Sequence, residues 1–93
     1  MALEFSWNAD KAESNYAKHG VSFKEASTAF GDPLSLTIGD PLHSEDETRF
    51  VLIGHTFAGR LVVVVHSERS GGIRIITARE ATRRERREYE RIE

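Results

Sequence analysis

Four consecutive valines, Val62-Val63-Val64-Val65, constrain this chain more than any other stretch. A half-exposed strand alternates apolar and polar side chains, whereas a continuous β-branched run reads as a strand buried on both faces. Such a strand belongs in the middle of a sheet with something packed on either side. This one runs straight into His66-Ser67-Glu68-Arg69, so a core strand ends in ionisable groups. Ser70-Gly71-Gly72 offers a hairpin turn. A second apolar strand from Ile73 to about Ala78 then leads to Arg79 and to the arginine-crowded Thr82-Arg83-Arg84-Glu85-Arg86-Arg87.

The remaining elements follow from caps and alternation. Leu3 to Trp7 alternates as a short strand, and Asn8 is a good N-cap for a helix from Ala9 to His19 that Gly20 closes. Ser22-Phe23-Lys24-Glu25 has capping-box spacing and starts a second helix to about Phe30, stopped by Gly31-Asp32-Pro33. Leu34–Ile38, Glu47–Thr56 and Arg60–Glu68 read as strands, with an acidic loop from Gly39 to Asp46 and a turn at Ala58-Gly59. Thr82-Arg83-Arg84-Glu85 is another capping box and begins a polar C-terminal helix. Trp7 reads as a hydrophobic staple on Ala12. The order β-α-α-β-β-β-β-α implies one α+β domain spanning residues 1–93. An antiparallel meander carries the two N-terminal helices on one face.

Ninety-three residues hold one modest core, burying roughly 60–68% of the unfolded surface. There is no cysteine, which excludes disulfides and thiolate chemistry. The N-terminus lacks a signal-peptide pattern and no apolar run reaches the roughly 20 residues of a membrane span, so a cytoplasmic protein without a membrane is expected. The net charge of −2 hides an asymmetry: residues 1–50 carry four cations against nine acids, residues 51–93 nine arginines against six acids. Arginine outnumbers lysine ten to three, and arginine is the residue of bidentate phosphate contact. Part of that arginine is accounted for by helix-surface pairs at i,i+4 spacing, such as Arg84–Glu88 and Arg86–Glu90. A net charge of −2 and the lack of a helix-turn-helix pattern speak against direct DNA binding.

Alternation puts Val62, Val64, His66 and Glu68 on one face of their strand, with His66 and Glu68 roughly 6–7 Å apart. Metal-independent RNA cleavage needs a base for the 2′-hydroxyl, a proton donor for the leaving oxygen and positive charge on the phosphorane. His66 or Glu68 are candidates for the base, and Arg69, Arg79 and Arg83 for the charge. Arg83 stands at the first turn of the last helix, where free N–H groups also favour an anion. Lys18, His19, Arg74, Arg86 and Arg87 are candidate RNA contacts, although Lys18 and His19 also suit a helix C-terminus. The expectation is that both strand ends and the start of the last helix meet in one cation-lined notch. No metal-ligand spacing, Gly-rich phosphate loop or cofactor motif occurs, so no metal and no cofactor are expected.

Phe5-Ser6-Trp7-Asn8, Lys11-Ala12, Asn15 and Lys18-His19-Gly20-Val21-Ser22-Phe23 together resemble the start of the BrnT toxins. Phe30-Gly31-Asp32-Pro33, Val65-His66-Ser67-Glu68-Arg69, Arg74-Ile75-Ile76-Thr77-Ala78-Arg79 and Ala81-Thr82-Arg83-Arg84-Glu85-Arg86-Arg87-Glu88-Tyr89-Glu90 continue the resemblance in order along almost the whole chain. It implies a RelE-like ribonuclease toxin of a type II toxin–antitoxin module that cleaves RNA and blocks translation. It also implies a partner, a BrnA-like ribbon-helix-helix antitoxin, with operator DNA reached only through the complex. Carried onto matching positions, the family's functional cluster is Glu68, Arg69, Arg79 and Arg83, with His66 beside them. Asn8 stands where the family often has aspartate. Glu80 adds a negative charge beside Arg79, where a basic or neutral residue is expected. The alternative reading of the residues is a non-catalytic module that binds a small partner protein through its polar C-terminal helix and acidic loop.

Overall fold

The computed structural model describes residues 3–39 and 48–91. The stretch 40–47, most of the expected acidic loop, lies outside the described residues. Along the chain come β1 (Glu4–Ser6), α1 (Ala9–His19), α2 (Phe23–Thr28), a 3-10 turn (Ala29–Gly31), β2 (Leu36–Gly39), β3 (Arg49–His55), β4 (Leu61–Arg69), β5 (Gly72–Glu80) and α3 (Arg83–Glu90). No helix is long and apolar enough to cross a membrane among the described residues.

Caps set the helices where the sequence places them. Asn8 accepts from the Lys11 N–H at 3.0 Å, and Gly20 closes α1 at φ 71°, in the left-handed region that glycine enters without strain. Ser22 caps α2 through the Glu25 N–H at 3.0 Å. The Glu25 carboxylate turns to Thr56 and Arg60. Thr82 and Glu85 form a complete, reciprocal capping box on α3.

The sheet has the order β1-β5-β4-β3-β2, so the valine strand β4 is its centre, as a run buried on both faces requires. β2 through β5 form the expected antiparallel meander, and β1 adds at the far edge parallel to β5, which makes the sheet mixed. Val62 and Val64 face α1 and α2 in a core with Val21, Phe23, Ala26, Ala29, Leu52, Ile75 and Ala78. Cross-strand partners share a face. The opposite face therefore carries three rows: Arg49–Ser67–Arg74, then Ile38–Val51–Val65–Thr77, then Leu36–Ile53–Val63–Arg79. Val51, Ile53 and Val65 are only half-buried there, and Ile38 is 63% exposed. α3 covers one end of this face, with Tyr89 as its buried residue.

One irregularity resets β5. Val65 pairs with Thr77 but His66 pairs with Ile75, which leaves Ile76 as a bulge residue. A one-residue slip flips every later side chain to the other face. Strict alternation, which would put Ile73, Ile75, Thr77 and Arg79 on one face, therefore does not hold along β5. Ile73, Ile75 and Ala78 are buried, while Thr77 and Arg79 lie on the open face.

Gly54 is the most closely enclosed of the described glycines. A Cβ there would meet the Ala29 carbonyl oxygen at 3.0 Å and the Ser35 Cβ at 3.1 Å. Gly54→Ala is expected to destabilise the fold by about 1–2 kcal/mol, the usual range for overpacking, read as a lowered urea midpoint.

Candidate active site

The shared notch does not form. β4 and β5 are antiparallel neighbours, so their C-terminal ends point in opposite directions. Glu68 pairs with Ile73 and Arg69 with Gly72 at the hairpin tip, whereas Arg79 sits opposite Val63. Those points lie about 17 Å apart, five strand residues at roughly 3.3 Å each. Arg83 begins α3 beyond the Arg79 end. Glu68 and Arg69 thus form one exposed site with Leu3 and the Ser70–Gly72 turn, and Arg79 and Arg83 belong to another.

His66 is also displaced from the reacting volume. It is 1% exposed, on the helix-covered face of β4, edge-on to Phe30 at 4.8 Å and stacked on Phe50 at 5.7 Å. Neither ring nitrogen has a hydrogen-bond partner. Burial alone pushes its pKa down to about 4, so the ring is neutral at pH 7 and closed to substrate. The assignment of His66 as a base is therefore withdrawn.

Arg79 is engaged within the fold. Its guanidinium grips Glu85 with Nη1–Oε1 2.7 Å and Nη2–Oε2 2.8 Å, tying β5 to the first turn of α3. The Arg79 bonds hold the Glu85 carboxyl down at about 2, against burial and with help from Thr82. Glu80, expected to trouble Arg79, instead pairs with Arg60 at 3.0 Å. Arg60 also binds Glu25 at 2.6 Å and the Gly20 carbonyl at 3.0 Å, clamping the α1–α2 corner to β4. Arg83, Arg86 and Arg87 are exposed on α3.

The cations that do converge lie between α1 and β5. β1 pairs with β5 only as far as Arg74, so beyond that point the β5 edge is free to receive α1. Asn15 fills the missing strand's place: its Nδ2 donates to the carbonyls of Ala78 (2.8 Å) and Val21 (3.1 Å), and its Oδ1 accepts the Ala78 N–H at 3.2 Å. Two depressions adjoin along this edge and share Lys11 and Ile76. One is lined by Asn8, Lys11, Arg49, Arg74, Ile75 and Ile76, the other by Lys11, Ser14, Asn15, Lys18, His19, Ile76 and Thr77. No carboxylate lines either among the described residues. The candidate contacts Lys18, His19 and Arg74 line these adjoining depressions, and Arg69 joins the same face two pairs beyond the Arg49–Ser67–Arg74 row.

Lys11 and Arg49 were missed as site residues. A signal existed for Lys11: positions 11, 14, 15 and 18 have i, i+3, i+4, i+7 spacing and form one stripe of α1. Nothing local marks Arg49, which enters only through cross-strand pairing. The sequence reading also missed a polar cluster under α3, where Tyr89 Oη donates to Asp32 Oδ2 at 2.6 Å and meets His55 Nδ1 at 3.1 Å.

A five-stranded mixed sheet with two helices on one face places this chain among small α+β proteins. It is similar to the crystal structure of the Brucella abortus ribonuclease toxin BrnT, with a TM-score of 0.64 over 88% of this chain and 100% of that one, at 19% identity. The family described as "Ribonuclease toxin, BrnT, of type II toxin-antitoxin system" matches residues 7–85, and the chain belongs to that family. No curated protein matches the chain.

Proposed function

We propose that this toxin cleaves RNA without a metal ion, blocks translation by doing so, and is silenced by a BrnA-like ribbon-helix-helix antitoxin through which alone it reaches operator DNA. Its site of action on this reading is the cytoplasm. One observation supports the proposal: four cations and a histidine line two adjoining depressions that share Lys11 and Ile76, with no carboxylate among the described residues lining them. RNA is a polyanion, and each phosphate held by Lys or Arg releases counterions, so such a groove binds it with a steep salt dependence. Lys11, Lys18, His19, Arg49 and Arg74 hold the phosphates, and Arg69 extends the track to the hairpin tip. Arg83, Arg86 and Arg87 offer further contacts along α3. Glu68, exposed at the hairpin tip, is kept as a candidate catalytic residue. The antitoxin partner follows from the type II family.

The test is cleavage of RNA by purified protein in EDTA, alongside binding to a non-cleavable oligonucleotide. Arg74→Ala and Lys11→Ala are each expected to weaken binding roughly tenfold and to lower the salt slope by about one phosphate contact. Arg83→Ala and Glu68→Ala report on the remaining candidates. Cleavage that stops in EDTA, or groove variants that bind as wild type does, removes the proposal. The rival reading, a non-catalytic interaction module, draws on the half-exposed row Ile38–Val51–Val65. Growth arrest on expression separates them, since an adaptor has no means of stopping growth.

A further inference from the structure

We propose that His55 is the general base of this cleavage, held in its working tautomer by Tyr89 and Asp32. The inference rests on the ribonuclease reading above and adds the group that reading lacks.

The hydrogen bonds determine where the protons sit. Asp32 Oδ2 accepts from Tyr89 Oη at 2.6 Å and from the His55 backbone N–H at 2.8 Å, while Oδ1 accepts from the Leu34 N–H at 2.9 Å. Burial pushes the Asp32 carboxyl up, but the bonds from His55, Tyr89 and Leu34 outweigh it and hold it below the usual carboxylate range. Asp32 is therefore an acceptor only, and the phenol proton is committed to it. The phenol oxygen then faces His55 Nδ1, 3.1 Å away, as an acceptor. Nδ1 must carry the ring proton, which leaves the lone pair on Nε2.

Exposure follows the same division. The Asp32 side chain is 10% exposed and Tyr89 8%, whereas the His55 side chain is 43% exposed. The orienting groups are dry and the imidazole is open. His55 also stands on the open face, since it alternates with Ile53, Val51 and Arg49 along β3; it lies six residues, about 20 Å, from Arg49, so the phosphate it would act on is several nucleotides from those held there. Arg86, one turn before Tyr89 on α3, is an exposed cation on the helix that carries Tyr89. The other two described histidines do not match this arrangement. His66 is sealed among phenylalanines, and His19 ends a helix with no acid–tyrosine pair behind it among the described residues.

In the step itself, Nε2 takes the proton of the ribose 2′-hydroxyl. The freed electron pair forms the bond from 2′-oxygen to phosphorus. The bond from phosphorus to the 5′-oxygen breaks, and that oxygen leaves with the pair and takes a proton from water. The products are a 2′,3′-cyclic phosphate and a 5′-hydroxyl, and the imidazolium returns its proton to solvent.

The experiment follows cleavage of a labelled oligoribonucleotide and of messenger RNA in a translating extract. It uses the wild type, His55→Ala and Tyr89→Phe, each with and without added imidazole. His55→Ala is expected to lower kcat by about 10²–10³-fold with KM within about twofold, and imidazole to restore a tenth or more of the loss. Tyr89→Phe is expected to lower kcat about tenfold at unchanged KM and to resist imidazole, because its base is present but misoriented. A wild type that cleaves while His55→Ala cleaves equally, or loses activity that imidazole does not restore, overturns the assignment and leaves the ribonuclease reading standing. A wild type inert on both RNAs overturns the ribonuclease reading and the base with it.

Discussion

Replacing Asn15 by leucine is expected to destabilise the protein by about 3 kcal/mol, a large share of the roughly 5–15 kcal/mol that domains of this size possess. Asn15 is 8% exposed and makes three hydrogen bonds, two of them to the N–H and C=O of Ala78 on the β5 edge. That edge has no strand beside it, because β1 ends its pairing at Arg74. Leucine matches the volume but leaves the Ala78 N–H and two carbonyls without partners, at about 1–3 kcal/mol for each buried unsatisfied group. The urea midpoint should fall by about 1.5–2 M for a slope near 1.5–2 kcal/mol/M. A loss below about 1 kcal/mol would mean that water reaches Ala78 and the helix only leans on the edge. Since Asn15 also lines the groove with Lys11 and Lys18, the same variant should weaken RNA binding as α1 shifts.

His66→Leu should act in the opposite direction. The wild-type ring is sealed between Phe30 and Phe50 with both nitrogens unpartnered, and burial holds its pKa at about 4 against an ordinary value of 6.5. The unfolded chain therefore binds a proton that the folded chain refuses between those values. Stability contributed by the neutral ring is complete above about pH 6.5 and is lost as pH falls toward 4. At pH 4 the loss is about 3 kcal/mol, from roughly 1.4 kcal/mol per pH unit. Leucine removes the titration and two unsatisfied nitrogens, so the variant should be more stable at pH 7 and should not show this share of the acid loss. The depressed carboxyls of Glu25, Asp32 and Glu85 add their own acid losses to both proteins, so the difference between the two curves isolates His66. Parallel curves between pH 7 and pH 4 would contradict the burial argument. RNA cleavage should be unchanged in the variant, because no substrate reaches this ring.

Local chemistry was legible in the chain itself. Asn8, Ser22, Thr82 and Gly20 set helix ends within a residue because a cap is satisfied by neighbours three or four positions away. The valine run announced the central strand, because a strand with neighbours on both edges buries such side chains in a row: Val62, Val63 and Val64 are buried, and Val65 is half-buried on the open face. The cationic bias of the second half was likewise visible as composition, and so was the family.

What the amino acids did not reveal was which charged groups meet. The direction of a hairpin sends Glu68–Arg69 one way and Arg79–Arg83 the other, however similar the two strand ends look on paper. A bulge at Ile76 moves Thr77 and Arg79 across the sheet, and no pattern of period two contains it. Arg49 and Arg74 share a row only because Ser67 lies between them on β4. His55, Tyr89 and Asp32 are joined across gaps of 23 and 34 residues. Elements are determined by contacts within a few residues, which the chain encodes one stretch at a time. Sites are determined by register, strand direction and edge pairing, which exist only once the whole sheet has closed.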